Sequence, residues 1–409
     1  MKNLDVKEKA IEILKENYVC DKCLGRCFGQ LLSGLTNEER GKTLRQYLAM
    51  LIDSGENIDA DKSNFYGLKF HNKKIETKKP DKCSICSDLF KEIKKKAKVM
   101  IKRMNKYDYN TFLVGCKLTP ELIKKEQELW DSVGIEWCES LKNEINRELG
   151  IEIERMTGKT MDRKSPDITV MFDLNTGNVK LNVRSLYVYG KYQKLVRGMP
   201  QTKWKKKIFQ TSVQEVIENP FLKQIKAKNT SFHGSGREDI DVRCLGWRPF
   251  VLELISPIKR KIDLKKVKNG VNKSKKVKIK DLKIVGKDVV RRIKFADYDK
   301  TYRAIVTFEN PMENVKKLTE LKEVIITQKT PIRVLRRRSD KIRKRKLKDI
   351  KYNCLSENKI ELVIKTQSGL YVKELITGDD GRTEPSVSGL LNNKVKKIKL
   401  DVIKIHTKD

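Results

Sequence analysis

Gly234-Ser235-Gly236-Arg237-Glu238-Asp239-Ile240-Asp241-Val242-Arg243 sets three carboxylates and two guanidinium groups between glycines, just ahead of an apolar run at 249–255. In an extended chain, alternation places Arg237, Asp239 and Asp241 on one side and Glu238 and Ile240 on the other. A carboxylate beside a guanidinium stays ionised at neutral pH, which suits a nucleophile or a base rather than a proton donor. Spacing alone makes a salt-bridged surface turn the commoner outcome. The meaning of the run therefore depends on what surrounds it.

Downstream, strand-like runs at 251–255, 302–308, 324–327, 360–365 and 398–405 predict a mixed sheet with flanking helices. Upstream, Ser212 and Glu215 announce a short helix that Pro220 is expected to stop. Before it, residues 194–207 gather Arg197, Gly198, Pro200 and five lysines, four of them around Trp204, without periodicity. That composition predicts a boundary, dividing the chain into 1–195 and 196–409. The first part reads as an α/β accessory domain. Val6, Ala10, Ile13 and Leu14 share a helical face in a helix expected to end near Cys20. Thr36-Asn37-Glu38-Glu39 has the capping-box pattern, 88–100 is helical, and Phe112-Leu113-Val114-Gly115-Cys116 is strand-like. Pro120 starts a helix, and 168–183 alternates across Asn175-Thr176-Gly177-Asn178 as a β-hairpin. The whole is α+β.

Lys and Arg number 91 against 54 Asp and Glu, a formal net charge of +37. Self-repulsion of that size opposes compaction, and it is most easily understood if the protein works on a phosphate-rich polymer. Two basic stretches, 259–294 and 333–351, are too polar for core. The first alternates Lys with Val and Ile and is expected to be an extended arm on RNA, against a solvated loop as the bland reading. No run of about 20 apolar residues exists, so no membrane span is expected. Without an apolar leader segment the chain is expected in the cytoplasm, with its thiols reduced.

Cys20-Asp21-Lys22-Cys23 and Cys83-Ser84-Ile85-Cys86 are two CxxC knuckles, a strong signal for one tetrahedral Zn²⁺ held by four thiolates. Such a site has no open position for water, so the metal is expected to be structural. Cys27 is expected to be a buried spare. Gly41-Lys42-Thr43 and Gly158-Lys159-Thr160 end like phosphate-binding loops, but Thr36 and Ile153 stand where the first glycine is required. No dinucleotide loop is recognisable either, so no organic or nucleotide cofactor is expected.

The Gly-Arg-Glu-Asp run resembles the catalytic motif of pseudouridine synthases, Gly-Arg-x-Asp. The longer run 236–250 is similar to the archaeal and eukaryotic tRNA pseudouridine synthases that carry an N-terminal THUMP-containing domain. Lys300-Thr301-Tyr302 resembles that family's Lys-x-Tyr element, and Gly369-Leu370-Tyr371-Val372-Lys373-Glu374-Leu375 its third element. The CxxC pair and the segment 190–204 are also family-like, so the resemblance spans nearly the whole chain. It departs at Trp247, where a glycine-rich turn is expected. The resemblance implies a zinc-stapled, THUMP-like N-terminal domain and a catalytic domain with a mixed, mainly antiparallel sheet. It implies isomerisation of uridine to pseudouridine in the tRNA T-arm, at positions 54 and/or 55. Asp239 is then the nucleophile and Lys373 the cation paired with it. Tyr302 and Tyr371 are expected at the target base, with Arg237 on the substrate and Leu390 packed beneath the base. The alternative from another class is a non-catalytic zinc-containing RNA-binding protein or RNA chaperone.

Overall fold

The computed structural model describes residues 5–72, 74–204 and 208–407. Lys205, Lys206 and Lys207, which close the basic segment 194–207, lie outside the described residues. The chain divides into two compact units after Arg184.

In the first unit, strands β1 (Thr111–Lys117), β2 (Thr160–Met161), β3 (Ile168–Asp173) and β4 (Val179–Val183) form a sheet of order β2-β1-β3-β4. β1 runs parallel to both β2 and β3, while β3 and β4 make the expected antiparallel hairpin. β1 alternates between buried and half-buried positions, with Phe112, Val114 and Cys116 inward. Helices Ile93–Met104 and Leu141–Thr157 lie against this sheet. Ala97, Met100, Ile145 and Leu149 join the same core as Ala10, Leu14 and Leu24 of the N-terminal helices. The first helix spans Val6–Leu14 and stops earlier than expected; a second begins at Asp21 with Cys20 as its cap. The capping box at Thr36 is formed as read.

The second unit is built on one ten-stranded sheet. In chain order its strands are β5 (Leu186–Lys194), β6 (Asn229–Gly234), β7 (Arg243–Ile255), β8 (Val277–Val285), β9 (Lys300–Phe308), β10 (Ile325–Gln328), β11 (Arg343–Ser356), β12 (Lys359–Thr366), β13 (Thr383–Glu384) and β14 (Val395–Ile405). The order across the sheet is β13-β10-β11-β12-β9-β14-β7-β5-β8, with β6 pairing β7 as well. Among the described residues the pairing is antiparallel except where β14 meets β7 in parallel, Asp401 opposite Arg243 and Val402 opposite Cys244. That short junction joins two halves with separate cores, one around Ala304, Leu362 and Leu375, the other around Phe221, Phe250 and Leu252.

Three local expectations are corrected. Residues 186–194, assigned by sequence to the accessory domain, form β5 and pair with β7 and β8. The basic segment 275–284 is no free arm: it is the edge strand β8, whose Val277 and Ile279 are buried while Lys278 and Lys283 face outward. Alternating Lys with Val and Ile is what a half-buried edge strand requires. The helix Val213–Ile225 also runs through Pro220, because Phe221 and Ile225 are fully buried beyond it and their burial offsets one lost backbone hydrogen bond. No helix among the described residues is long and apolar enough to cross a membrane.

Candidate active site

Residues 235–242 link β6 to β7 and deliver Asp239 beside the parallel junction. The loop is not extended. The Val242 N–H donates to the Asp239 carbonyl over 3.1 Å, closing a turn, yet Asp239 and Asp241 still meet the same cation, Lys373, while Glu238 points the other way, toward Lys194 and Arg248. Gly236 has φ of +75°, the conformation that favours glycine, and a Cβ there would stand a tight 3.2 Å from Arg248 Nη1.

A buried polar network fixes this loop from below. Glu238 takes hydrogen bonds from the Tyr192 hydroxyl at 3.1 Å, and Arg248 Nε stands 3.0 Å from Glu238 Oε2, close but not aligned for a hydrogen bond. Lys194 Nζ lies 3.9 Å from Glu238 and donates to the Asp239 carbonyl at 3.0 Å and to the Met199 carbonyl at 2.9 Å. Gln201 Nε2 donates to the Gly236 carbonyl at 3.0 Å and to the Tyr192 hydroxyl at 2.8 Å. Burial pushes the Tyr192 hydroxyl pKa well up and the Lys194 pKa down, so each resists its charged form. Of these residues the sequence reading gave a side to Glu238 alone; Tyr192, Lys194 and Gln201 fall in the family-like segment 190–204 and Arg248 in 236–250, but with no role assigned, because their role exists only once the loop folds over them.

The half-buried Asp239 carboxylate is held by two cations. Lys373 Nζ stands 3.3 Å from Asp239 Oδ2, and Arg333 Nη1 donates to Asp239 Oδ1 at 3.1 Å. The Lys373 pairing is present as the family resemblance implied, but the same ammonium also reaches both oxygens of Asp241, at 2.8 and 2.9 Å. Burial opposes the charge on Asp241, yet the Lys373 hydrogen bond, the Lys373 charge and the Arg333 charge together outweigh it and hold that carboxyl below its usual range. Arg333 was read only as part of a basic stretch. Its Nε also donates to buried Glu374 at 2.6 Å, which locks the guanidinium between two carboxylates.

Tyr302 lies on β9, half-buried against the core, near enough to Asp239 and Arg248 to feel both charges; burial pushes its hydroxyl up to about 12, so it is neutral at pH 7. Two residues before it, Lys300 is buried, donating to the Tyr298 carbonyl at 3.1 Å, and burial followed by the Arg248 charge lowers its pKa to about 8. Tyr371 caps the helix Val372–Thr377 that carries Lys373. Gln328 clamps the Tyr371 backbone with two hydrogen bonds of 2.9 Å, and Arg338 Nη1 donates to the Tyr371 hydroxyl at 2.8 Å. Arg237 is exposed and forms no ion pair among the described residues. Leu390 is half-buried on the short helix Val387–Leu390, against the core of the β9–β12 half.

In the first unit the sulfur atoms of Cys20, Cys23, Cys83 and Cys86 all lie within 4.8 Å of one another. Cys20 Sγ and Cys86 Sγ are 3.7 Å apart. Tetrahedral ligation at a metal–sulfur distance of about 2.3 Å requires sulfur separations of about 3.8 Å. The Cys20 N–H donates to Cys83 Sγ at 3.3 Å, and hydrogen bonds from Cys20 and Cys23 pull the Cys83 thiol down. Four thiols in this arrangement can hold a metal ion. Cys27 is fully buried and donates to the Cys23 carbonyl instead of joining the cluster.

Two family models match the chain: the C-terminal region of Pus10 over residues 187–406, and the archaeal Pus10 THUMP domain over 97–173. Among curated proteins it is similar to the tRNA pseudouridine synthase Pus10 of Thermofilum pendens, 37% identical over 97% of this chain and 95% of that one. The protein of the same name from Pyrococcus furiosus is 38% identical over 98% of each chain. That of Methanocaldococcus jannaschii is 38% identical over 97% of this chain and 93% of its own.

Proposed function

The chain belongs to the Pus10 family, and on that premise we propose that it isomerises uridine to pseudouridine in the T-arm of tRNA, at positions 54 and/or 55, with Asp239 as the reacting carboxylate. The observation that carries the assignment of the residue is the pair of cations at 3.1 and 3.3 Å on Asp239, beside half-buried Tyr302. The reaction breaks the bond between C1′ and N1, turns the uracil and joins C1′ to C5. Nothing is oxidised and no group enters from outside. What the protein must supply is an ionised oxygen at the ribose, a surface against which the detached base is held, and enclosure. Arg333 and Lys373 keep Asp239 ionised and aimed, while Tyr302 and Tyr371 offer aromatic faces to the base and Leu390 an apolar support.

A stacked uridine must leave the RNA to reach this loop, at a cost of a few kcal/mol. Phosphate contacts by the Lys-rich surface and the THUMP-like unit offset that cost by reading shape and backbone. Zn²⁺ is the ion we assign to the four cysteines, as a structural staple with no part in the chemistry. Reduced, metal-ligating thiols and a tRNA substrate fit a cytoplasmic setting. The non-catalytic alternative is not favoured, because the relatives matched over nearly the whole chain are named tRNA pseudouridine synthases. The test is release of tritium from tRNA labelled at uridine C5. Wild type and Asp241→Asn are expected to release it and Asp239→Ala is not; equal release from wild type and Asp239→Ala refutes the assignment.

A further inference from the structure

Strand β7 has two faces, and one of them serves Asp239. Alternation along the strand puts Cys244 and Arg248 on that side and Leu245 and Trp247 on the other. On this second side is a cavity of about 260 Å³ whose lining includes Lys191, Leu245, Gly246, Trp247, Lys280 and Lys404. Its lysines come from three strands, β5, β8 and β14, and converge on the indole of a fourth. Lys280 Nζ sits 4.7 Å from the Trp247 ring centroid. Gly246 permits the convergence, since a Cβ there would lie 2.9 Å from Lys404 Cα and push β14 away.

We propose that this cavity is a second RNA-contact site, at which Trp247 stacks on one unpaired nucleobase while Lys191, Lys280 and Lys404 take the adjoining phosphates. The inference rests on the RNA-modifying reading above and extends it to the opposite face of the sheet. Asp281, 4.0 Å from Lys191 and 3.8 Å from Lys280, is shared by those two ammonium groups. The cavity is smaller than the ~300–1,000 Å³ of sites for drug-sized ligands, which limits it to about one base. A half-buried indole with a lysine over it is a surface that any base can stack on without being read by hydrogen bonds. The Lys280 ammonium, flexible and partly solvated, exchanges its contact with the ring for a phosphate when RNA arrives.

The experiment measures binding in the full-length Asp239→Ala protein, where turnover cannot contribute and the tritium assay is not involved. Probes are a tRNA transcript and a single-stranded oligouridylate. Trp247→Ala is expected to weaken the tRNA Kd about five- to a hundredfold, and Trp247→Phe, which keeps a stacking ring, by about threefold or less. Lys280→Ala is expected to lower the slope of log Kd against log salt by about one. Oligouridylate is expected to quench intrinsic fluorescence, and the quenching to shrink in Trp247→Phe. Unchanged tRNA affinity in Trp247→Ala, or quenching of the same amplitude in Trp247→Phe, overturns the proposal while leaving the assignment of Asp239 standing.

Discussion

Arg333 Nη1 donates to the Asp239 carboxylate at 3.1 Å from a segment ninety-four residues further along the chain. The same guanidinium grips Glu374, the residue that follows the second cation, Lys373. Aim as well as charge is therefore set by a planar fork. Arg333→Lys preserves the charge and loses the fork. Single-turnover tritium release is expected to fall about 100-fold, the scale associated with a misplaced reacting group, with tRNA affinity nearly unchanged. Full activity in Arg333→Lys would show that orientation by Arg333 is dispensable.

Beneath the loop, Glu238 is the carboxylate between two buried cations, with side-chain exposures of 0% for Glu238, 0% for Lys194 and 1% for Arg248. Glu238→Gln leaves both cations uncompensated. The expected cost in unfolding free energy is about 3–5 kcal/mol, read from urea denaturation of the catalytic unit's transition. A loss under about 1 kcal/mol would mean that the network is not held by charge.

Lys300 makes stability depend on pH in an unusual direction. Its folded pKa of about 8 lies below the ordinary 10.5, so between these values the unfolded chain binds more protons and stability rises with pH. The gap is worth on the order of 3 kcal/mol. Wild type is therefore expected to gain that much relative to Lys300→Met as the pH is raised from 8 to 10.5, in parallel urea titrations. A difference between the two that is constant across this window contradicts a buried, charge-averse Lys300.

For the cysteine cluster, one Zn²⁺ per chain is expected by elemental analysis, lost in Cys83→Ser and in Cys20→Ser and retained in Cys116→Ser. Because ligation and folding are linked, chelation is expected to melt the first unit while the second keeps its own transition. Full metal retention in both knuckle variants would exclude the site.

Much of this molecule is legible in the chain. The two knuckles, the capping box at Thr36, the hairpin around Gly177 and the strand at Tyr302 are local patterns, and each depends on neighbours a few residues away. Asp239 and Lys373 were found through the resemblance of their motifs, and the structure brings them within 3.3 Å. Arg237, which shares the motif, is exposed to solvent.

By itself, then, the sequence determined the kinds of element and the pairing of the two cysteine knuckles, because periodicity, capping and knuckle spacing act over short stretches of backbone; Asp239 was singled out by the resemblance of its motif. Tertiary structure alone decided that β5 belongs to the second sheet, that Arg333 and Asp241 share the cations' surroundings with Asp239, and that Lys194, Gln201 and Arg248 carry the loop. Those relationships join residues from ten to more than a hundred positions apart. Burial and Coulomb attraction depend on distance in space, and no spacing along the chain encodes it.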